Sequence, residues 1–449
     1  MPFLLIPNTV RSQEATIWVG IANQRMVDLS RITLTCNGQN IPLGRWESFA
    51  TRSRSNVISY QSVKIPNLEP RTEYFLELFS DGEAKTFARV RALPNELPTL
   101  GEQPFNVLLG SCFCSSRSES ITLGSTYLNL QRQQKTDIKI LCGDQVYLDD
   151  PTLHFTWNRH SAEELEDLLT ANYLRTWTQN GTFTGYQQFL QNGANFFSAD
   201  DHEYWNNAPN WATAIPDTWT EEGRETWKNI AVSLFRMFQS DSTVTTFKVG
   251  SLSFFIADTR LERDANQHNF MSFEDLRALD DWVTSLEGVG ALVIGQPVFS
   301  QKAGWRGKFF DRKLPDYVQY EEIVRILSKA NHSILLLTGD VHYGRISHCL
   351  LKPPDVYLYE IISSPTALVN PLVGGSWKRA PDFFPDFNIP GVVPKAIEND
   401  FGYQFTQNHF LTLSFFQHGA KTRVIIKTVA ISGNGHAPTP VQIADLTLS

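Results

Sequence analysis

Five continuous apolar segments constrain the fold of this chain more than any other feature. They read FNVLLG, IKILCG, LSFFIAD, ALVIG and SILLLTG, at residues 105–110, 138–143, 252–258, 291–295 and 333–339. An apolar run without alternation is typical of a strand that is buried on both faces of a sheet. Between the runs lie helix candidates at residues 161–175 and 273–286, whose apolar positions are spaced for one face. The pattern predicts an α/β layered architecture.

The N-terminal part follows a different pattern. Residues 14 to about 95 alternate apolar and polar positions in short runs separated by turn residues, which predicts a small antiparallel sandwich. The stretch NLEPRTEYFLEL resembles the tyrosine corner of fibronectin type III domains, so we interpret Tyr74 as structural. A linker rich in Pro and Gly occupies residues 92–104. We therefore expect two domains, at residues 1–100 and 101–449.

Charge and terminal sequence exclude several classes of partner. The net charge is −8 and basic residues form no blocks, so we expect no stable complex with nucleic acid. The N-terminus, MPFLLIPNTVRSQ, has a short apolar run that Pro interrupts, with no basic region before it. It is not typical of a signal peptide or a membrane anchor, so we expect no membrane insertion and a cytoplasmic location. A periplasmic or secreted location is the alternative if a targeting segment precedes the sequence given.

Four polar clusters contain the candidate site residues. They are GSC at 110–112, GDQVY at 143–147, DDHE at 200–203 and GDVH at 339–342. Each follows an apolar run, and open α/β sheets place their ligand sites just outside the carboxyl ends of their strands. We therefore expect the four clusters to meet in one site.

Two of these clusters suggest metal ligands. In GDQVY, Asp144 offers a hard oxygen, and Tyr147 suits a strong Lewis acid such as ferric iron, whose charge lowers the pKa of the phenol. In GDVH, Asp340 and His342 are two residues apart and point the same way on an extended backbone. Taken alone, each motif also fits a structural role, as a turn Asp beside a core Tyr or as a core His held by an Asp.

The cysteines offer a further ligand. Five cysteines are an odd and sparse set, which indicates reduced thiols and no disulfide framework. Cys112 directly follows the GS of its strand end, where its thiolate could bind iron or zinc, although plain packing is an alternative and Cys114 competes for the role. We interpret the others as core residues: Cys36, Cys142 and Cys349.

The DDHE cluster strengthens the case for a cation. Burying Asp200, Asp201 and Glu203 together without a cation would carry a large desolvation cost, unless the cluster lies on an exposed loop. Ligand-capable side chains at four strand ends of one domain favour a two-metal site. Such a site clamps a phosphoryl group and generates a hydroxide nucleophile near neutral pH.

The motifs together resemble a known family. GSC, GDQVY, DDHE followed by Asn206 and Asn207, FFIADTRLER, GDVH and ISSP occur in the order of the alkaline phosphatase D (PhoD-type) metallophosphatases, in the calcineurin-like phosphoesterase superfamily. The resemblance spans residues 105–400. It implies a four-layer αββα sandwich preceded by a fibronectin III-like sandwich, with ferric iron and calcium as cofactors. Manganese, zinc and magnesium remain open as other metals.

The same resemblance assigns roles to individual residues. His202 is the candidate general acid, whose contribution to the rate is about 10² to 10⁴. For Arg260, binding of phosphate oxygens and pairing with Asp258 are both open, and we expect pairing. The implied iron ligands are Cys112, Asp144, Tyr147 and His342. Asp144 bridges to a calcium site that is completed by Asp201 and Asp340.

The expected function is the hydrolysis of phosphate esters, as a phosphomonoesterase, a phosphodiesterase or both. A phosphatase-fold binding protein without activity is the alternative, and the complete ligand set argues against it. Residues 366–400, rich in Pro, Gly, Trp and Phe, fit either a lid over the substrate or an ordinary surface loop. The sequence predicts no oligomeric state.

Overall fold

The first part of the chain is entirely β-structure. The computed structural model describes residues 2–22, 27–150, 159–179, 185–303, 312–367, 376–431 and 439–449. The first strands are β1 (Phe3–Val10), β2 (Glu14–Ala22), β3 (Ile32–Cys36), β4 (Gln39–Ile41), β5 (Glu47–Ala50), β6 (Val57–Pro66), β7 (Glu73–Ser80) and β8 (Glu83–Arg91). They form two antiparallel four-stranded sheets, in the orders β1-β2-β6-β5 and β4-β3-β7-β8. The hydroxyl of Tyr74 accepts the backbone N–H of Glu69 at 2.8 Å, which is a structural contact.

Two larger sheets follow. Their strands are β9 (Phe105–Gly110), β10 (Ile138–Cys142), β11 (Ala194–Ser198), β12 (Val244–Val249), β13 (Leu252–Ala257), β14 (Gly290–Val293), β15 (Ile334–Thr338), β16 (Gly344–Lys352), β17 (Val356–Ile362), β18 (Phe383–Phe384), β19 (Lys395–Phe405), β20 (His409–His418), β21 (Lys421–Ala430) and β22 (Val441–Leu448). The orders are β11-β10-β9-β20-β21-β22 and β12-β13-β14-β15-β17-β16-β19-β18. The predicted apolar runs form β9, β10, β13, β14 and β15, and every residue of these strands is buried. Parallel pairs join β9 to β10 and β10 to β11, and join β13 to β14, β14 to β15 and β15 to β17.

Helices connect the strands, so the predicted mixed α/β fold is confirmed. They are α1 (Leu123–Gln133), α2 (Ala162–Trp177), α3 (Tyr186–Gln191), α4 (Glu221–Phe238), α5 (Phe273–Thr284) and α6 (Tyr320–Ser328). The two helices expected from sequence are α2 and α5, which begin behind the N-cap residues Ser161 and Ser272. In the described part of the chain, no helix combines the length and apolar character that crossing a bilayer requires.

The two large sheets share a core. Val107 and Leu109 of β9 belong to the same buried cluster as Phe254 of β13. The intervening Leu108 belongs to a second cluster, which includes Leu130 of α1. Because successive strand residues point to opposite faces, each face of β9 meets a different apolar partner. Residues of β13 to β15 also face α5 and α6 in a third cluster.

The N-terminal sheets pack directly against the rest of the chain. Arg11 Nη2 donates to the carbonyl of Thr246 at 2.6 Å, and Asn195 Nδ2 donates to that of Pro7 at 2.6 Å. The predicted boundary at residue 100 falls in the connection between β8 and β9. The division into two domains stays a prediction.

Candidate metal centre

Two glycines let the strand ends come close together. A Cβ on Gly339 would lie 2.4 Å from the Cβ of Ser111 and 2.6 Å from the carbonyl oxygen of Cys142. A Cβ on Gly143, which has φ +78°, would lie 2.5 Å from the Cβ of Asp200. Larger residues at these two positions would push the loops after the strands apart. The GD dipeptides therefore set the spacing of the site.

Several of the predicted ligands have a strained backbone. Four of them have left-handed backbone conformations: φ is 56° at Cys112, 57° at Asp144, 66° at Asp340 and 58° at His342. Non-glycine residues rarely adopt this region, and each such residue costs on the order of 1 kcal/mol. The fold holds these four side chains in place at the expense of stability, which is typical of functional sites.

The first group of donors combines sulfur, oxygen and nitrogen. Ligand atoms of Cys112, Asp144 and His342 all lie within 4.8 Å of one another. The Cys112 Sγ is 3.3 Å from Asp144 Oδ2. The hydroxyl of Tyr147 is 3.5 Å from the same carboxylate oxygen and 3.4 Å from His342 Nε2. The structure thus brings together the four residues that the resemblance assigned to iron.

Carboxylates extend the site on the other side. Asp144, Asp201 and His202 form one group of ligand atoms within 4.8 Å, and Asp200, Asp201 and Asp340 form another. Asp201 belongs to both groups and so joins the Asp144 loop to the Asp340 loop. The residues predicted for calcium therefore line one continuous path of oxygen donors.

Burial shifts the pKa values of these groups, and a bound cation would oppose the rise at the acidic ones. It raises the pKa of Cys112 to about 12 and the pKa values of Asp144 and Tyr147 well above their usual ranges, and neighbouring acidic groups add to each rise. Burial and the charge of His202 lower the pKa of His342 to about 4. A neutral imidazole has a free lone pair, which is the form that binds metals.

The donor chemistry fits a pair of cations. Thiolate, imidazole and phenolate beside Asp144 suit a transition metal, whereas the carboxylates of Asp201 and Asp340 suit a hard cation. Asp144 lies between the two sets and can serve both.

Glu203 ties two ligand loops together. Its fully buried carboxylate accepts the backbone N–H groups of Asp144 at 2.8 Å, Gln145 at 2.6 Å and Asp200 at 2.9 Å. Glu203 therefore fixes the DDHE loop against the GDQVY loop. The sequence placed it in an acidic cluster but gave no sign of this role.

His202 is held by a carboxylate that sequence reasoning missed. Its Nδ1 lies 2.6 Å from Asp149 Oδ1, and its ring packs on Tyr147 with centroids 4.1 Å apart. Burial acts to lower the pKa of His202, but the charges of Asp149, Asp201 and Asp144 outweigh it and hold that pKa well above its usual value. These carboxylates favour the protonated imidazole, which is the form that can donate a proton. The acidic pair that follows GDQVYL was the available signal for Asp149.

The predicted partner of Arg260 is wrong. Its buried guanidinium bonds to Asp200 Oδ1, from Nε at 2.8 Å and from Nη2 at 2.6 Å. Asp258 instead accepts the backbone N–H groups of Arg260 at 2.6 Å and of Leu261 at 2.9 Å. Because Asp258 closes its own turn, the guanidinium reaches across to the DDHE loop. Arg260 therefore anchors that loop.

The ISSP motif supports the sulfur ligand. Ser364 Oγ donates to Cys112 Sγ at 3.1 Å and accepts the backbone N–H of His342 at 3.0 Å. The backbone N–H groups of Thr366 and Ala367 bond to the carbonyls of Ser111 and Cys112 at 2.8 and 3.0 Å. The segment at residues 366–400, predicted as either a lid or a surface loop, is thus pinned where it begins, while its residues 368–375 lie outside the described residues.

The remaining cysteines are not part of the donor groups found among the described residues. Cys114 is buried, with its sulfur 3.2 Å from Ser116 Oγ. The predicted core cysteines are all buried, and all five cysteines are free: Cys36, Cys112, Cys114, Cys142 and Cys349.

Comparison with solved structures identifies the fold. The structure of PhoD superposes with a TM-score of 0.63 at 14% sequence identity, covering 99% of this chain and 89% of PhoD. A purple acid phosphatase, PPD1 from yellow lupin (Lupinus luteus) seeds, superposes with a TM-score of 0.57 at 11% identity, covering 98% of this chain and 74% of that protein. No protein-family model and no curated protein matches the chain. The resemblance to the PhoD-type metallophosphatases is confirmed at the level of the fold.

Proposed function

We propose that this protein hydrolyses phosphate esters at a two-metal centre. The observation that carries the proposal is the convergence of buried and half-buried donor residues at the strand ends, in three overlapping groups whose ligand atoms lie within 4.8 Å of one another in each group. The fold is shared with PhoD and with a purple acid phosphatase, which adds support. The proposed ligands are Cys112, Asp144, Tyr147, Asp201, Asp340 and His342.

The proposed metals are ferric iron and calcium. Cys112, Tyr147 and His342 would hold the iron, Asp201 and Asp340 would hold the calcium, and Asp144 would bridge them. Metals bound there would supply Lewis-acid charge for the phosphoryl group and for the attacking water. Manganese, zinc and magnesium are the alternatives that metal analysis must exclude.

The chain itself supplies proton transfer and positioning. His202 would donate a proton to the departing alkoxide, a contribution of about 10² to 10⁴ in rate. Asp149 orients this imidazole through Nδ1, so that Nε2 is left for the leaving group. Tyr147 stacks on the ring and restricts its rotation.

The finer architecture is also a proposal. Apolar clusters on both faces of the large sheets support a four-layer αββα sandwich. The two small antiparallel sheets and the Tyr74 contact support a fibronectin III-like module before it.

Metal analysis combined with two esters tests the function. Purified protein would be analysed for metals and assayed with p-nitrophenyl phosphate and bis-p-nitrophenyl phosphate, before and after chelation. We expect bound iron and calcium, and turnover that chelation removes and Asp144→Ala abolishes. Asp280→Ala, which breaks a surface ion pair with Lys329, is the matched control. Protein that stays inactive after reloading with iron, calcium, manganese and zinc would favour the binding-protein alternative.

A further inference from the structure

The segment that leads into Lys313 is hydrogen-bonded to the Asp340 side of the candidate site. Gln296 Nε2 donates to Asp340 Oδ2 at 3.2 Å, and Gln296 Oε1 accepts Nη2 of Arg263 at 2.7 Å. Arg263 Nη1 in turn donates to the carbonyl of Arg312 at 3.0 Å. Three consecutive hydrogen bonds therefore fix the backbone beside Lys313 relative to a proposed calcium ligand.

A second lysine comes from another segment. Arg345, on the strand that follows His342, donates from Nη1 to the carbonyl of Lys378 at 3.3 Å. The charges of Lys378, Asp340 and Arg345 all act on the ammonium of Lys313. Desolvation, then the charge of Lys378, lowers the pKa of Lys313. We call Lys313 and Lys378 the basic rim.

The basic rim forms no ion pair with the residues that the structure describes. Both lysines are exposed, and neither ammonium forms an ion pair or a hydrogen bond in the described part of the chain. The nearby Asp316 instead accepts the backbone N–H groups of Ala303 at 2.8 Å and of Lys313 at 2.9 Å. Glu360 is paired with Arg345. The charges of Asp316 and Asp340 act on Lys313, but no carboxylate among the described residues forms an ion pair with either lysine, in a chain whose net charge is −8.

We propose that the basic rim binds a second phosphate group of the substrate, outside the phosphoryl group that is hydrolysed. This inference rests on the proposed function and narrows it to esters that carry a further phosphate. An ammonium on a flexible stem is a phosphate-binding point charge that adapts to different positions of the group. Binding energy from a remote part of the substrate raises kcat/KM for the ester that carries it.

A matched pair of sugar phosphates tests the inference. Initial rates of phosphate release would be compared for glucose 6-phosphate and glucose 1,6-bisphosphate. We expect wild-type kcat/KM to favour the bisphosphate about tenfold or more, chiefly through KM, and added salt to reduce that preference. The double variant Lys313→Ala/Lys378→Ala should lose most of the preference, and the double arginine variant should keep it. Lys248→Ala, which removes an exposed lysine paired with Glu287, should leave the preference unchanged.

The outcomes separate the two proposals. Turnover of p-nitrophenyl phosphate with equal KM for both sugar phosphates would overturn the second-phosphate site and leave the proposed function in place. A preference that survives in the double alanine variant would overturn it as well. Failure of the reloaded wild-type protein to hydrolyse any of these esters or bis-p-nitrophenyl phosphate would overturn the function and this inference together. Hydrolysis of bis-p-nitrophenyl phosphate alone would overturn only this inference.

Discussion

The buried carboxylates at the two ends of β10 have different partners. Asp137, just before the strand, lies 3.0 Å from Arg91 Nη1 and accepts the backbone N–H of Asn106 at 2.7 Å. Asp144, just after the strand, is close to a thiol and a phenol and accepts the backbone N–H of His202 at 3.2 Å. No lysine or arginine in the described ranges forms an ion pair with Asp144.

The pKa values follow this difference. Burial raises the pKa of Asp137 to about 6, with Arg91 and the Asn106 N–H acting against the rise. Burial and the neighbouring Cys112 raise the pKa of Asp144 well above its usual value. At the amino end an arginine forms an ion pair with the carboxylate, whereas at the carboxyl end the charge of His202 acts against the rise without an ion pair to a lysine or arginine among the described residues.

Removing the charge of Asp144 should have the largest effect of the substitutions that test this contrast. Asp144→Asn should lower turnover by about 10³-fold or more, because one ligand serves both proposed metals. In chelator, the same variant should unfold at a higher urea concentration than wild type, since it lacks a costly buried acid. A variant that is less stable than wild type in chelator would show that Asp144 is stabilised without a cation.

The proton donor is the next test. His202→Ala should lower kcat for an alkyl phosphate by about 10² to 10⁴, and much less for p-nitrophenyl phosphate, whose leaving group needs no proton. The measurement is kcat for both esters in both proteins. Equal losses for the two esters would assign His202 to binding or to metal coordination.

A substitution of Glu203 tests whether the DDHE and GDQVY loops depend on its carboxylate for their positions. Glu203→Gln places an amide N–H₂ opposite backbone donors, so metal affinity should fall by about 10- to 100-fold. The affinity would be measured by titrating chelator-treated protein with iron and with calcium. Glu166→Gln, on α2 near Arg52, is the control. Unchanged affinity would show that the loops hold their positions without this carboxylate.

A substitution of Asp137, at the amino end of β10, should have the smallest effect. The folded pKa of Asp137 is raised, so the folded state binds more protons than the unfolded state between pH about 4 and about 6. Its contribution to stability is present below that window and is lost as the pH rises through about 6. Asp137→Asn has no carboxyl group to titrate here and does not lose this contribution. The unfolding free energy of the variant minus that of wild type should therefore rise by on the order of 2 kcal/mol between pH 4 and 7.5. Urea unfolding at both pH values measures it, and a fall would show that the Arg91 pair is net stabilising.

The sequence by itself determined the strands and the ligand types. Continuous apolar runs ending in Gly-Asp are local patterns, because burial on both faces and a tight turn act on neighbouring residues. They were sufficient to locate Asp144 and Asp340, with His342 two residues beyond the latter. The family resemblance then assigned Tyr147 and His202.

Only the tertiary structure decided how these groups are held. Arg260 meets Asp200 across 60 positions of sequence, His202 meets Asp149 across 53, and Glu203 reaches Asp144 across 59. Such pairs leave no periodic pattern in the sequence, because each contact depends on which loops meet once the sheets have packed. For the same reason the basic rim, built from two segments far apart in sequence, has no counterpart in any motif.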